Sequence, residues 1–283
     1  MVRMRLREVE LDGPFAGIRL GVVDWGEPEA SRTVLCVHGL TRNARDFDAL
    51  AESLVRAGMR VLAVDVVGRG RSSWLEDKSG YTVPTYAAQL RRLLELEGLA
   101  EVDWVGTSMG GLVGMAVAAS PGSPIRRLVL NDIGPFVPKE ALLEIRAYLA
   151  EDPLFAGLDE VEAYFRRIYA PFGRLPDAVW RHLAEHSVRR TPEGLRLHYD
   201  PGIRVPHEAA EPQDIELWSL WEAIAAPVLV LRGAESRLLR EETARAMLRR
   251  GPECEVLVFP ECGHAPALVE PGQIEPVVRW LAR

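Results

Sequence analysis

Ser108 stands between glycines in the stretch Gly106-Thr107-Ser108-Met109-Gly110-Gly111, a G-x-S-x-G arrangement. The run "VDWV" leads into it and the run "LVGMAVA" leaves it. A strand turning sharply into a helix at that point would hold the serine in a strained conformation with its hydroxyl projecting. The residues two before and two after such a serine must be tiny, and Gly106 and Gly110 meet that demand. The implied chemistry is nucleophilic attack by Ser108. A serine hydroxyl is a weak nucleophile unless a base takes its proton. His264, in "FPECGHAPALVEP", is the candidate base, with Gly263 before it and Pro266 after it to fix a tight loop.

An attacked carbonyl becomes an oxyanion, which needs two hydrogen-bond donors. The backbone N–H of Met109, directly after the serine, is one candidate. The loop after "TVLCV" reads His38-Gly39-Leu40-Thr41-Arg42-Asn43, and the N–H of Leu40 is the other. In that assignment His38 is a structural loop histidine, not a second base.

These residues need a scaffold that brings distant loops to one place. "RLREVEL" and "IRLGVVDW" predict an antiparallel hairpin. "TVLCVHG", "RVLAVD", "EVDWVG" and "IRRLVLND" predict buried strands, separated by helical stretches such as "ARDFDALAESLVRAG" and "TVPTYAAQLRRLLELEG". Strands and helices in alternation predict a mostly parallel sheet covered by helices on both faces. The rhythm breaks over residues 135–224, where "KEALLEIRAYLAED", "DEVEAYFRRIYAPF" and "PDAVWRHLAEHSVRR" predict separate short helices. It resumes with "APVLVLRG", "EETARAMLRRG", "CEVLVFPECGH" and "QIEPVVRWLAR". Residues 1–134 and 225–283 therefore predict one α/β core, and 135–224 a helical insertion after the strand ending at Asp132.

Bulk properties exclude several classes. With 48% hydrophobic and 27% charged residues, the 283-residue chain has the balance of a globular protein. A net charge of −7 with no Lys/Arg block argues against nucleic acid or anionic membrane as the main partner and leaves a small-molecule substrate. "MVRMRLREVELDG" lacks the apolar region of a secretory signal, and Cys36, Cys254 and Cys262 are too few and scattered for a disulfide framework. A cytoplasmic, reduced protein is the expectation.

The motifs "HGLTRNARDFD", "VDVVGRGRSSW", "GTSMGG", "LVLNDIGP", "PVLVLRG" and "GHAP" together resemble the serine hydrolases of the α/β-hydrolase fold superfamily, in that family's order and spacing over nearly the whole chain. The resemblance implies the α/β-hydrolase fold with residues 135–224 as its cap, and neither metal nor organic cofactor. It also raises the question of the acid that orients His264. In the family this usually follows the strand reading "PVLVLRG" here, near Ser236 or Arg237, and neither is acidic. Glu235 is the carboxylate inside that loop. The family's other solution places the acid at the end of the preceding sheet strand, where Asp132 stands. Asp132 is the first candidate, Glu235 the second, and a histidine without a working acid the third.

The resulting expectation is a serine hydrolase cleaving carboxylic esters of small, mostly apolar substrates through an acyl-enzyme. The rivals are the same machinery on a lactone, a thioester or the C–C bond of a vinylogous diketone, and a weakly catalytic small-ligand receptor. "HLAEH", His182 to His186, fits an H-x-x-E-H zinc-peptidase pattern, but the sequence suggests no distal third ligand, so no metal is expected. His198 and His207 read as polar cap residues, and Trp180, Trp218 and Trp221 as cap packing with a share in the pocket wall open to them. Cys36 reads as buried and inert. Asp65 is not at the nucleophile position.

Overall fold

The computed structural model describes residues 2–209 and 211–283. Its first half runs β1 (Met4–Glu10), β2 (Arg19–Trp25), β3 (Thr33–Val37), α1 (Asp48–Arg56), β4 (Arg60–Val64), α2 (Val83–Leu96), β5 (Val102–Thr107), α3 (Met109–Ala118) and β6 (Ile125–Asn131). There follow β7 (Phe136–Val137), α4 (Lys139–Leu149), β8 (Leu154–Phe155), α5 (Leu158–Ile168), α6 (Asp177–His186), β9 (Val188–Thr191), β10 (Gly194–Leu197), α7 (Val205–Glu208), β11 (Ile215–Glu216) and α8 (Trp218–Glu222). The chain closes with β12 (Val228–Gly233), α9 (Glu241–Met247), β13 (Cys254–Phe259) and α10 (Pro271–Ala282).

The main sheet has the order β1-β2-β4-β3-β5-β6-β12-β13. β1 and β2 form the antiparallel hairpin, and β2 is antiparallel to β4. The remaining neighbours are parallel. Every residue of β3, β4 and β12 is buried, which is why these strands read as unbroken apolar runs rather than alternating ones. The period of two still decides the packing. Leu35 and Val37 of β3 join the cluster with Leu90 of α2 and Val113 of α3, while Val34 and Cys36 join Leu50 of α1 and Val277 of α10 on the other face. β1, at the sheet edge, alternates exposed with half-buried residues.

The inserted segment is not purely helical. β8, β10 and β9 form a three-stranded sheet, and β11 pairs with β7. The periodicity of "AVWRHLAEHSVRR" suggests one helix through Arg190, but α6 stops at His186. Val188–Thr191 instead pairs antiparallel with Gly194–Leu197 across the two residues Pro192-Glu193. The β-branched Val188 and Thr191 and that proline turn favour the hairpin over another helical turn. The insertion is tied to the core by hydrogen bonds from Asn43 Nδ2 to the His186 carbonyl (3.2 Å), from Asp200 N to the Gly68 carbonyl (2.8 Å) and from the Tyr81 hydroxyl to Asp200 (2.6 Å). Among the described residues, no helix is long and apolar enough to cross a membrane.

Candidate active site

Parallel strands point their C-terminal ends the same way, and ligand sites of open α/β sheets form at that edge. Here the ends of β3, β5, β6 and β12, with the loop after β13, bring the candidate residues together. Ser108 follows β5 at φ 52°, ψ −114°, and α3 begins at the next residue. The conformation is sparsely populated for a residue with a side chain, so its surroundings must enforce it. They can do so only if the neighbours lack side chains. A Cβ on Gly106 would lie 2.3 Å from the Gly110 carbonyl oxygen, and one on Gly110 would lie 2.0 Å from that of Val37.

The Ser108 Oγ is 2.9 Å from His264 Nε2, and His264 Nδ1 is 2.8 Å from Asp132 Oδ2. Asp132 is fully buried, directly after β6, and also takes a positive φ of 56°. Its Oδ1 accepts the backbone N–H of Gly233 at 2.8 Å. Its Oδ2 accepts the Ser236 hydroxyl as well as His264. The carboxylate is thus held by three donors, which offset the cost of burying a charge. Glu235 lies elsewhere. It is exposed, it lines the mouth of the neighbouring cavity, and among the described residues its carboxylate has no hydrogen-bond or ion-pair partner.

Leu40 and Met109 sit where the oxyanion donors are expected. Among the described residues no protein acceptor takes either backbone N–H. The N–H of Met109 belongs to the first turn of α3, whose donors have no intrahelical partner and carry the positive end of the helix dipole. His38 braces the loop that presents Leu40. Its Nε2 accepts from Val66 N at 2.9 Å, so the proton sits on Nδ1 and is donated to the Gly39 carbonyl at 2.7 Å. Burial pushes its pKa down to about 4, which keeps the ring neutral.

Three supporting residues are not singled out by sequence motifs. Ser236 occupies the loop position where an acid is usual and donates to the acid candidate on the neighbouring strand. Asn131 Nδ2 donates to the Pro266 carbonyl (2.8 Å) and the Thr107 hydroxyl (3.1 Å), tying the His264 loop to the serine turn. Arg69, fully buried, donates from Nε to the Leu40 carbonyl at 2.9 Å and reaches the Met109 sulfur at 3.7 Å, touching both oxyanion candidates. The only trace of it in the sequence is an arginine inside the glycine-rich "VGRGRSS".

A cavity of about 700 Å³ opens onto Ser108 and His264. The core contributes Leu40 and the insertion contributes Ile145, Tyr148, Tyr169 and Phe172 to its walls. Trp180, Trp218 and Trp221 are not among the lining residues. Trp180 and Trp221 are buried in packing, and the Trp221 indole donates to the Arg250 carbonyl at 2.7 Å. Cys36 is buried, which pushes its thiol far up and leaves it inert. His198 is buried and accepts the Gly70 N–H at 2.7 Å, a structural role at the junction of insertion and core.

The chain belongs to the alpha/beta hydrolase fold family, whose profile matches residues 32–271. It is 43% identical over 279 residues to the 3-hydroxybutyrate-oligomer hydrolase of Cupriavidus necator, covering 95% of each chain. It is 27% identical over 268 residues to the esterase Rv0045c of Mycobacterium tuberculosis, covering 92% of this chain and 85% of that one. An alpha/beta hydrolase from Novosphingobium aromaticivorans superposes with a TM-score of 0.88 at 33% identity, over 99% of both chains.

Proposed function

We propose that this α/β hydrolase cleaves carboxylic esters through an acyl-enzyme on Ser108, and that its substrates are short oligoesters of a 3-hydroxy acid. The observation that carries the reading is the unbroken chain of hydrogen bonds from Ser108 through His264 to Asp132 at the foot of the cavity. His264 Nε2 takes the Ser108 proton as Oγ attacks the ester carbonyl. Asp132 holds the proton on Nδ1 and stabilises the imidazolium that forms. The N–H groups of Leu40 and Met109 receive the oxyanion. Collapse of the tetrahedral intermediate breaks the C–O bond, and His264 returns its proton to the departing alkoxide. Water, deprotonated by the same nitrogen, then frees the acid and restores Ser108.

The similarity to a 3-hydroxybutyrate-oligomer hydrolase over 95% of both chains supports the substrate class. The bond cut would be the ester between the carboxyl of one unit and the 3-hydroxyl of the next. A cavity of about 700 Å³ is within the usual range for a small-molecule site and suits a few such units. In this reading residues 135–224 act as a cap that sets substrate length, since their side chains form much of the cavity wall.

The test is turnover of 3-hydroxybutyrate dimer and trimer beside p-nitrophenyl acetate, butyrate and decanoate, with covalent labelling by a serine-directed phosphonate. The expected result is turnover of oligomers and short esters, with both turnover and labelling abolished in Ser108→Ala. Labelling without turnover of any ester would instead make the chain a receptor. Turnover of simple esters but not of oligomers would remove the substrate class and leave the chemistry.

A further inference from the structure

The motif His182-Leu183-Ala184-Glu185-His186 plays no part in the ester chemistry, yet it puts two imidazoles one turn apart on one face of α6. What the sequence lacks is a third ligand. The fold supplies it from the core: Asp48, the first residue of α1, faces the same helix. Its Oδ2 lies 3.4 Å from His182 Nε2. The two imidazole rings meet edge to face with centroids 4.5 Å apart. One ligand atom from each of Asp48, His182 and His186 lies within 4.8 Å of the other two, and all three residues are half-buried.

Two donors on one tetrahedral ion with bonds of about 2.0–2.1 Å stand roughly 3.3 Å apart. The Asp48–His182 pair, at 3.4 Å, already has that spacing, and the third donor, within 4.8 Å of the other two, closes by a side-chain rotation. Two imidazole nitrogens and one carboxylate oxygen make a set suited to Zn²⁺, and more strongly to Cu²⁺. We propose that Asp48, His182 and His186 bind a divalent transition-metal ion of the Zn²⁺ class, which fastens the inserted segment to the core. Binding must displace the contacts that Arg45 makes with both His182 and Asp48. His182 Nε2 lies 3.1 Å from the Arg45 carbonyl oxygen, so its ring must move the proton to Nδ1. Arg45 Nε bonds Asp48 Oδ1 at 3.0 Å and Oδ2 at 2.8 Å, and its Nη2 lies 2.5 Å from Oδ2, so the guanidinium must release Oδ2 from both nitrogens while keeping Oδ1. The neighbouring charges Asp46 and Glu185 are paired with Arg42 and Arg181. This site is independent of the ester reading, because none of its residues lines the cavity at Ser108.

The experiment is calorimetric titration of the chelator-stripped full chain with Zn²⁺ near neutral pH, repeated with Co²⁺ while recording visible absorption. The expected result is one ion per chain, with affinity reduced at least tenfold in each of His182→Gln and His186→Gln and unchanged in His207→Ala and Cys254→Ser. At a hundredfold excess of free Zn²⁺ over its Kd, the melting temperature of the wild type should rise by about 4–5 °C. That rise should be absent in both glutamine variants, whose melting without metal reports whether they fold. No saturable binding below millimolar Zn²⁺ overturns the proposal. So does an isotherm unchanged in both histidine variants, or one lost in Cys254→Ser instead.

Discussion

Replacing Asp132 by asparagine preserves shape and changes only which atoms can accept. The buried carboxylate takes the Gly233 N–H on Oδ1, and the Ser236 hydroxyl and His264 Nδ1–H on Oδ2. The Gly233 donor is backbone and cannot reverse, so the amide oxygen must face it. The NH₂ group then faces His264 and Ser236. Ser236 can accommodate by rotating its hydroxyl, which already accepts the Leu239 N–H at 3.1 Å. His264 can accommodate only by accepting at Nδ1, which moves its proton to Nε2. That nitrogen is the one 2.9 Å from Ser108 Oγ, and once protonated it cannot take the serine proton. The opposite amide orientation sets NH₂ against the Gly233 N–H, a donor against a donor in a fully buried place. In a serine protease the equivalent change costs about 10⁴ in kcat, or ~5 kcal/mol of transition-state stabilisation. We expect a loss of three to four orders of magnitude in kcat for p-nitrophenyl butyrate, with KM changed by less than about threefold, because Asp132 is behind the histidine and away from the cavity. Thermal melting within a few degrees of wild type would show that the fold survives. A kcat loss below tenfold would refute Asp132 as the orienting group. Glu235→Gln should cost less than twofold, since that carboxylate is exposed and unpaired among the described residues.

Ser236→Ala removes one of the two donors on Asp132 Oδ2 and should lower kcat about tenfold at constant KM, with Ser236→Thr restoring it by returning the hydroxyl; full activity of the alanine variant would make Ser236 a bystander. Trp221→Ala should destabilise by about 3–5 kcal/mol in denaturant melts, from lost packing of a fully buried indole, while leaving chain-length preference unchanged. Tyr148→Ala should do the converse, shifting the ratio of decanoate to acetate hydrolysis upward, because that ring lines the cavity; an unchanged ratio would remove Tyr148 from the acyl path. Burial raises the Asp65 carboxyl to about 6, against backbone donors at Ala44 and Arg71 that pull it down. An acid with a raised folded-state pKa favours folding while protonated, so its contribution is present below about pH 4 and is lost as pH rises through about 6. Relative to Asp65→Asn, wild-type stability should therefore fall by ~3 kcal/mol between those limits, and parallel pH–stability curves would refute the assignment.

The parts of this site that the sequence displays are those whose constraints are local. Ser108 is legible because one short stretch must supply a strand end, two residues without side chains and a helix start, and each leaves its mark within a few positions. His264 is legible because the loop after the last strand contains one histidine, set between Gly263 and Pro266. The acid is ambiguous for a reason visible in the sheet. β6 and β12 are parallel neighbours, with Asn131 beside Leu231, so their C-terminal ends lie side by side. A carboxylate on either end can meet the same imidazole, and spacing along the chain does not distinguish them. What distinguishes them is the partner across the gap: in the proposed triad, with Asp132 on β6, the β12 loop has no need of an acid, and its Ser236 donates to Asp132. Reading Ser236 as a missing aspartate and reading it as the hydroxyl that holds a relocated one are the same observation before and after strand order is known. The same limit hides Asp48. Nothing within α1 marks it as a partner for two histidines in the insertion, because the contact exists only once α6 has docked on the core. Non-local pairs of this kind, formed where two elements with separate local logic meet, become visible only from the packing.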